Sequence, residues 1–146
     1  MIIELLVTSK AKKDITPAEI SDILETSYKF NTENDITGCL LYHNGEFIHL
    51  LEGEQKKVQE LYSKVVFDNR HTDVSKLIQN PIEKRYFSSW TMAFNEITAI
   101  NSANIKGYIS INDFNNLTCS MNRSSTARNM FLYLTQTIIT VKGKEI

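Results

Sequence analysis

The chain has 146 residues, of which 42% are hydrophobic and 23% charged, the balance of an ordinary soluble globular domain. Its formal net charge of −1, without a long basic run, gives no indication of nucleic-acid binding. No apolar stretch approaches the roughly 20 residues that a membrane helix needs, and the N-terminus lacks the basic-then-apolar pattern of a signal peptide, so we expect a cytoplasmic protein.

The first predicted elements are a strand and a helix. The apolar, β-branched run at residues 2–9 predicts the strand. A helix start follows, because Thr16 can cap it, Pro17 suits the first helical position and Glu19 completes a capping box. Apolar residues at helical spacing continue this helix to about Asn31.

A β-hairpin is predicted next, with strands at residues 36–43 and 46–52 on either side of Asn44-Gly45. An Asn-Gly pair favours the two-residue type I′ turn, in which both central residues have positive φ. Both strands are apolar without alternation, which indicates that both faces of the sheet are covered.

The hairpin is followed by a second amphipathic helix, from about Val58 to Asn69. A strand at residues 74–79, a turn at Pro81 and a strand at residues 87–94 come after it. The order βαββαββ predicts an α+β fold, a ferredoxin-like sheet with the first two helices on one face.

The remaining residues, 97–146, are predicted to cover the other face of the sheet. They contain a patchy apolar segment near Ile105 and a stronger helix that starts after Ser125 and ends at Gly143. We therefore expect a core of residues 1–96 and a helical extension packed on it, both within one domain.

Several separated motifs occur in order along residues 3–96. They are Ser27-Tyr28-Lys29-Phe30-Asn31, Ile36-Thr37-Gly38, Phe47 to Gly53, Asp68-Asn69-Arg70-His71, and Pro81 to Met92 with Arg85, Phe87 and Trp90. In these motifs the chain resembles the BLUF family, which senses blue light with a bound flavin. The resemblance implies a flavin, FAD or FMN, with its ring between two parallel helices on the sheet.

The resemblance also implies a set of flavin-binding residues. They are Asn31, Phe30, Lys29, His49, Arg70, His71, Trp90, Met92 and Val7. Asn31 matches the position whose amide bonds the polar edge of the flavin, a task that needs both a donor and an acceptor. The alternative for Asn31 is an Asx cap at the helix end.

Two further pairs in this set have a structural alternative. Arg70 and His71 match positions near the ribityl chain and phosphate, where a guanidinium suits a multidentate grip and Lys29 is a further candidate; the alternative is a solvated charge pair. Trp90 and Met92 match a strand whose side chains exchange in and out of the pocket, and the alternative for them is core packing.

Two residues depart from the family pattern. Val7 stands where the photoactive tyrosine belongs, and His49 replaces the glutamine that relays its proton-coupled electron transfer. Valine has no transferable proton, and Thr8 points to the opposite face of the sheet. His49 either contacts the flavin, responds to pH, or simply finds a partner inside the fold. We expect the usual photocycle to be absent or altered.

Two functions follow from these residues. The first is a flavin-binding regulatory domain, and the second is a cofactor-free interaction module on the same scaffold, each acting as a homo-oligomer and through a downstream protein partner. An enzyme is not expected, because the sequence has no nucleophile–base pair, metal-ligand spacing or phosphate loop. Cys39, in a strand, and Cys119, in a loop, are expected to be reduced thiols.

Overall fold

The computed structural model describes residues 1–94, 106–120 and 125–144. These residues contain five strands and four helices. In chain order the elements are β1 (Ile2–Ala11), α1 (Pro17–Glu33), β2 (Thr37–His43), β3 (Glu46–Glu54), α2 (Gln55–Phe67), β4 (His71–Pro81), β5 (Trp90–Phe94), α3 (Ile111–Cys119) and α4 (Thr126–Lys144). The order confirms the predicted βαββαββ arrangement.

The strands form one sheet in the order β4-β1-β3-β2-β5. Neighbouring strands are antiparallel except β2 and β5, which run parallel. β4 and β5 are therefore the edges of the sheet, β1, β3 and β2 lie between them, and β3 is the central strand.

Local chemistry explains the start of α1 and the hairpin. Thr16 caps α1 by accepting a hydrogen bond from the backbone of Glu19, whose carboxylate bonds Thr16 in return. Asn44 and Gly45 have φ values of 49° and 79°, as the predicted turn requires. Both predictions are confirmed.

Alternating side chains place one apolar cluster on each face of the sheet. On one face, strand residues such as Leu5 and Leu51 pack against Leu24 of α1 and Val58 of α2. We call this the pocket face. On the other face, Leu6, Ile48 and Leu50 pack against Phe114 of α3 and Phe131 of α4. The C-terminal helices thus cover the second face, as expected.

Gly38 allows β2 to lie close to β3. Its φ is 134°, and a Cβ atom built on it would lie 1.9 Å from the backbone oxygen of Leu50. Only glycine tolerates both conditions.

A short segment before α3 fastens β5 from its outer side. The backbone N–H of Met92 donates to the oxygen of Gly107 at 2.8 Å, and the N–H of Ile109 donates to the oxygen of Met92 at 2.8 Å. The sheet edge is therefore joined to the start of the C-terminal helices.

Several predicted boundaries were wrong. β4 starts at His71 and includes Pro81, because its backbone pairs with β1 at both ends, with two register shifts between them, and an edge strand tolerates proline. β5 starts only at Trp90, since the N–H of Phe87 donates to a carboxylate of Glu52 instead of a strand.

The C-terminal boundaries also differ. Cys119 is the last residue of α3 and lies in no loop, and α4 continues past Gly143 to Lys144. Ile105 and Ser124, used in the prediction of this segment, lie outside the described residues. The division at residues 96 and 97 remains a prediction.

Candidate functional site

Four side chains form a line across the pocket face of the sheet. Val7 pairs with His49, His49 with Leu40, and Leu40 with Met92, on strands β1, β3, β2 and β5. We call these four residues the pocket row. Its members are buried, with Val7 2% exposed and Met92 completely covered. The structure thus brings together the two departures from the family pattern, Val7 and His49, as direct neighbours.

His49 is a buried imidazole with an unused nitrogen. Its Nε2 atom has no hydrogen-bond partner among the described residues. Burial, with a smaller contribution from the charge of His71, lowers the pKa of His49 to about 3. His49 is therefore neutral at physiological pH. The lowered pKa argues against a pH response near neutrality, and the unpartnered Nε2 favours contact with a ligand over a histidine that is paired inside the fold.

Asn31 presents a second unsatisfied polar group. Its side chain is 1% exposed, and neither Nδ2 nor Oδ1 has a partner among the described residues. The cap at the end of α1 is formed by Asn34 instead, whose Nδ2 donates to the oxygen of Phe30 at 2.9 Å. The Asx-cap alternative for Asn31 is therefore wrong. A buried amide without partners costs stability, which makes it a strong candidate for ligand contact.

Asn31 and Trp90 line the same cavity, of about 330 Å³, between the end of α1, β5 and the segment around Gly107. Trp90 is buried, yet within the described part of the chain its Nε1 has no partner, and the same holds for Oγ1 of Thr91 in this cavity. A core tryptophan usually finds an acceptor for its N–H. Val7 and the other residues of the pocket row do not line this cavity.

Arg70 is committed to carboxylates. Its guanidinium lies 2.8 Å from Oδ2 of Asp68 and 2.7 Å from Oδ2 of Asp22. The hydrogen bond from Arg70 holds the pKa of Asp68 below its usual value, and the same contact raises the pKa of Arg70. These ion pairs favour a charge-pair role for Arg70, with aspartates as its partners, and they connect α1 to the segment after α2.

His71 lies inside the fold beside the pocket row. Its Nδ1 is 3.1 Å from Oγ of Ser9, and its ring centroid is 4.8 Å from that of Phe47. Burial lowers the pKa of His71 despite the opposing effect of Asp68. Ser9 was missed in the sequence, although its position two residues after Val7 on β1 places it on the same face.

The last two predicted residues lie on α1. Phe30 is half-buried against the pocket-face cluster, with Nζ of Lys64 5.3 Å from its ring centroid. Lys29 is exposed and lines a different groove, together with Glu25 and Lys106. The structure therefore does not bring Lys29 together with the other candidates.

Two other kinds of site are absent from the described residues. No helix there is both long and apolar enough to cross a membrane. No group of three or more metal-ligating side chains comes together in that part of the chain.

A family model and curated proteins that match this chain agree with one another in their names. The family model for sensors of blue light using FAD, BLUF, matches residues 2–93. The photoactivated adenylate cyclase subunit beta of Euglena gracilis is 37% identical over 89 residues, which are 60% of this chain and 10% of that protein. This chain thus spans about a tenth of the length of such relatives.

Solved structures show the same likeness. BlrB, a BLUF protein in its dark state, superposes with a TM-score of 0.58 at 29% identity over 64% of this chain and 70% of its own. A bacterial light-regulated adenylyl cyclase gives a TM-score of 0.59 at 31% identity, covering 97% of this chain and 34% of the cyclase.

Proposed function

This chain belongs to the BLUF family of blue-light sensors that use FAD, and we propose that it binds a flavin, FAD or FMN, against the pocket face of its sheet. The proposed contacts include Asn31, Phe30, His49, His71, Trp90, Met92 and Val7. BLUF domains are sensory modules, and we propose that this chain likewise has no enzymatic activity of its own.

The unpartnered amide of Asn31 is the observation that carries this proposal. It offers one donor group and one acceptor in a buried position, which fits the alternating polar edge of a flavin. His49 adds a second unpartnered atom, Nε2, on the pocket row. When bound, the flavin supplies the absorption of blue light, while these two side chains bind and orient it.

We propose that the usual tyrosine–glutamine photocycle is absent or altered. Val7 is buried at the tyrosine position and has no proton to give. Its neighbour His49 is neutral and carries a single N–H, whereas a glutamine amide offers two N–H donors beside its carbonyl. The chain therefore retains groups that hold a flavin but lacks the pair that performs the family's photochemistry.

Arg70 and Lys29 are the two candidates for the phosphate side of the cofactor. Arg70 is the proposed phosphate contact, but its N–H groups already bond Asp68 and Asp22. Lys29 lies at the exposed rim of α1, apart from the other proposed contacts. We propose that Arg70 contacts a phosphate only if it exchanges one of these carboxylates for it.

The ion pairs of Arg70 also favour a second function, a cofactor-free interaction module. Asp22 lies on α1 and Asp68 follows α2, so Arg70 holds together the two helices between which a flavin would lie. In this alternative the scaffold acts through its C-terminal helices. The exposed side chains of Met130 and Tyr133 on α4 support contacts with a partner or a second copy of the chain.

An absorption spectrum of the purified protein, before and after incubation with FAD or FMN, tests the first function against the second. We expect the flavin bands in the protein fraction, and no sustained red shift under blue light. Mass spectrometry after denaturation identifies the flavin. A colourless protein that takes up neither cofactor would reject the first function and leave the interaction module. The mass of the purified protein in solution tests self-association. Both proposals include a cytoplasmic location.

A further inference from the structure

Two buried carboxylates lie side by side on the face of the sheet opposite the pocket. Glu4 of β1 pairs directly with Glu52 of β3, and the two residues are only 2% and 1% exposed. Like charges opposite each other in a sheet are unfavourable, and buried ones need hydrogen bonds. Their partners therefore matter for the stability of this face.

Glu52 is held by three segments of the chain. Thr37 Oγ1 donates to it at 2.9 Å, and the backbone N–H groups of Tyr86 and Phe87 donate at 2.8 and 3.0 Å. Arg128 of α4 brings its Nη2 to 3.9 Å from the same carboxylate. Glu52 thus joins the start of β2, the loop before β5 and the first turn of α4.

Glu4 is held by the residue that caps α4. Ser125 donates its hydroxyl to the carboxylate of Glu4. The same Ser125 oxygen accepts from the backbone N–H of Arg128 at 3.2 Å, the bond of a helix N-cap. The guanidinium of Arg128 in turn lies 5.2 Å from the ring of Tyr86. We call Glu4, Glu52, Ser125 and Arg128 the carboxylate clamp.

Undocking α4 would take Ser125 and Arg128 away from two buried acids. A buried charge that loses its partner is costly, so the clamp favours the docked position beyond what apolar packing supplies. The apolar part is modest at this end of α4, where Ala127 is the nearest member of the opposite-face cluster and Phe131 follows one turn later.

The two carboxylates of the clamp lie on β1 and β3, the strands that carry Val7 and His49 of the pocket row. Glu4 and Val7 are three residues apart on β1, and Glu52 and His49 are three apart on β3. An odd separation puts the two members of each pair on opposite faces. A shift of either strand that is caused from the pocket face therefore moves a carboxylate under α4.

We propose that the carboxylate clamp holds the first turn of α4 on the sheet, and that a displacement of β1 or β3 from the pocket face loosens this turn. The clamp itself follows from the contacts of Glu4, Glu52, Ser125 and Arg128. The coupling to the pocket rests in addition on the proposed flavin site.

A negative charge placed beside Glu4, followed by removal of the charge of Glu4, tests the clamp. Aspartate caps helices as well as serine does, so Ser125→Asp keeps the cap but sets a carboxylate against Glu4. We expect backbone amides of residues 126–137 to exchange with solvent deuterium about tenfold faster, and the added substitution Glu4→Gln to bring them back to within twofold of wild type. Ser110→Asp, at the cap of α3, is the matched control and leaves these amides unchanged.

Unchanged exchange in Ser125→Asp, or faster exchange that Glu4→Gln does not reverse, would overturn the clamp. Should Ser125→Asp fail to fold, Arg128→Gln replaces it, because it removes the charge beside Glu52 and leaves Ser125 in place. That variant is expected to exchange severalfold faster along α4, and wild-type exchange would again overturn the clamp.

The coupling is tested by adding FAD to the same proteins. In wild type we expect bound FAD, verified by its spectrum, to change α4 exchange at least threefold, and in Glu4→Gln by less than twofold. FAD that binds without changing α4 exchange overturns the coupling and leaves the proposed function intact. No FAD uptake overturns both, while the Ser125→Asp comparison still decides on the clamp.

Discussion

Replacing the buried amide of Asn31 by an isosteric apolar side chain separates a ligand contact from a structural one. Both amide atoms of Asn31 are buried, and neither has a partner among the described residues. An unsatisfied buried amide costs about 1–3 kcal/mol, so Asn31→Leu is expected to raise the free energy of unfolding of the flavin-free protein by about that amount. For a chain of this length the midpoint of thermal unfolding rises by about 4 °C for each kcal/mol.

The same substitution is expected to weaken flavin binding. Two neutral hydrogen bonds of about 0.5–1.5 kcal/mol each are lost, which corresponds to a roughly 5- to 150-fold higher Kd. Stability and affinity thus change in opposite directions. Urea unfolding of the flavin-free protein measures the first quantity, and titration with FAD, followed by its fluorescence, measures the second.

Asn34→Leu is the matched control on the same helix. Asn34 donates to the oxygen of Phe30 at 2.9 Å and accepts from Nζ of Lys57 at 3.2 Å. Its loss is expected to lower stability by about 1 kcal/mol and to leave the Kd for FAD within twofold. If Asn31→Leu instead lowers stability as Asn34→Leu does, and FAD affinity stays the same, the amide of Asn31 is structural and the reasoning is refuted.

Three further predictions concern the pocket row and the hairpin. Unfolded His49 takes up a proton near pH 6.5, but the folded residue does so only near pH 3, so the free energy of unfolding falls as the pH drops from 6.5 towards 3, by up to about 1.4 kcal/mol per pH unit. Urea unfolding at pH 4.5 and pH 7 measures this loss, which is expected to be smaller in His49→Gln. An equal loss in the two proteins would contradict the burial of a neutral imidazole. The double substitution Val7→Tyr with His49→Gln is expected to give the flavin-loaded protein a red-shifted absorption spectrum under blue light, which wild type lacks. A flavin-loaded double variant without that shift would show that the pocket does not hold flavin in working geometry. Gly38→Ala is expected to lower the free energy of unfolding by at least about 3 kcal/mol, because the added Cβ would meet the backbone of Leu50. Gly45→Ala, whose Cβ has open space around it, is expected to lose about 1 kcal/mol. Similar losses in thermal unfolding of the two variants would refute the close approach of β2 to β3.

The parts of the fold that local chemistry determines were predictable from the sequence. The cap formed by Thr16 and Glu19 and the turn at Asn44-Gly45 each depend on residues within a few positions of one another. The covering of both sheet faces followed from the continuous apolar runs of β2 and β3. The motif resemblance then placed Asn31 and His49 among the candidates, and both are buried with unpartnered polar atoms.

The rest depends on contacts between residues far apart in the chain. Glu52 ends the predicted strand 46–52, and nothing near it in sequence reveals that Phe87 and Arg128 will cover its carboxylate. Arg70 likewise finds Asp22, 48 residues away, on a helix that the local pattern does not connect to it. β4 was predicted too short because its exposed residues, such as Thr72, carry no apolar alternation, while its length is set by pairing with β1.

The two backbone bonds between Met92 and the segment of Gly107 and Ile109 restrict how β5 can rearrange. Side chains alternate along a strand, so a slip by one residue would carry Met92 and Trp90 through to the α3 and α4 side and bring Thr91 under α1. Both bonds would have to break before such a step, and re-form only once it was complete. β5 is therefore expected to occupy discrete registers and not to slide gradually, because both backbone hydrogen bonds would be broken in any intermediate position.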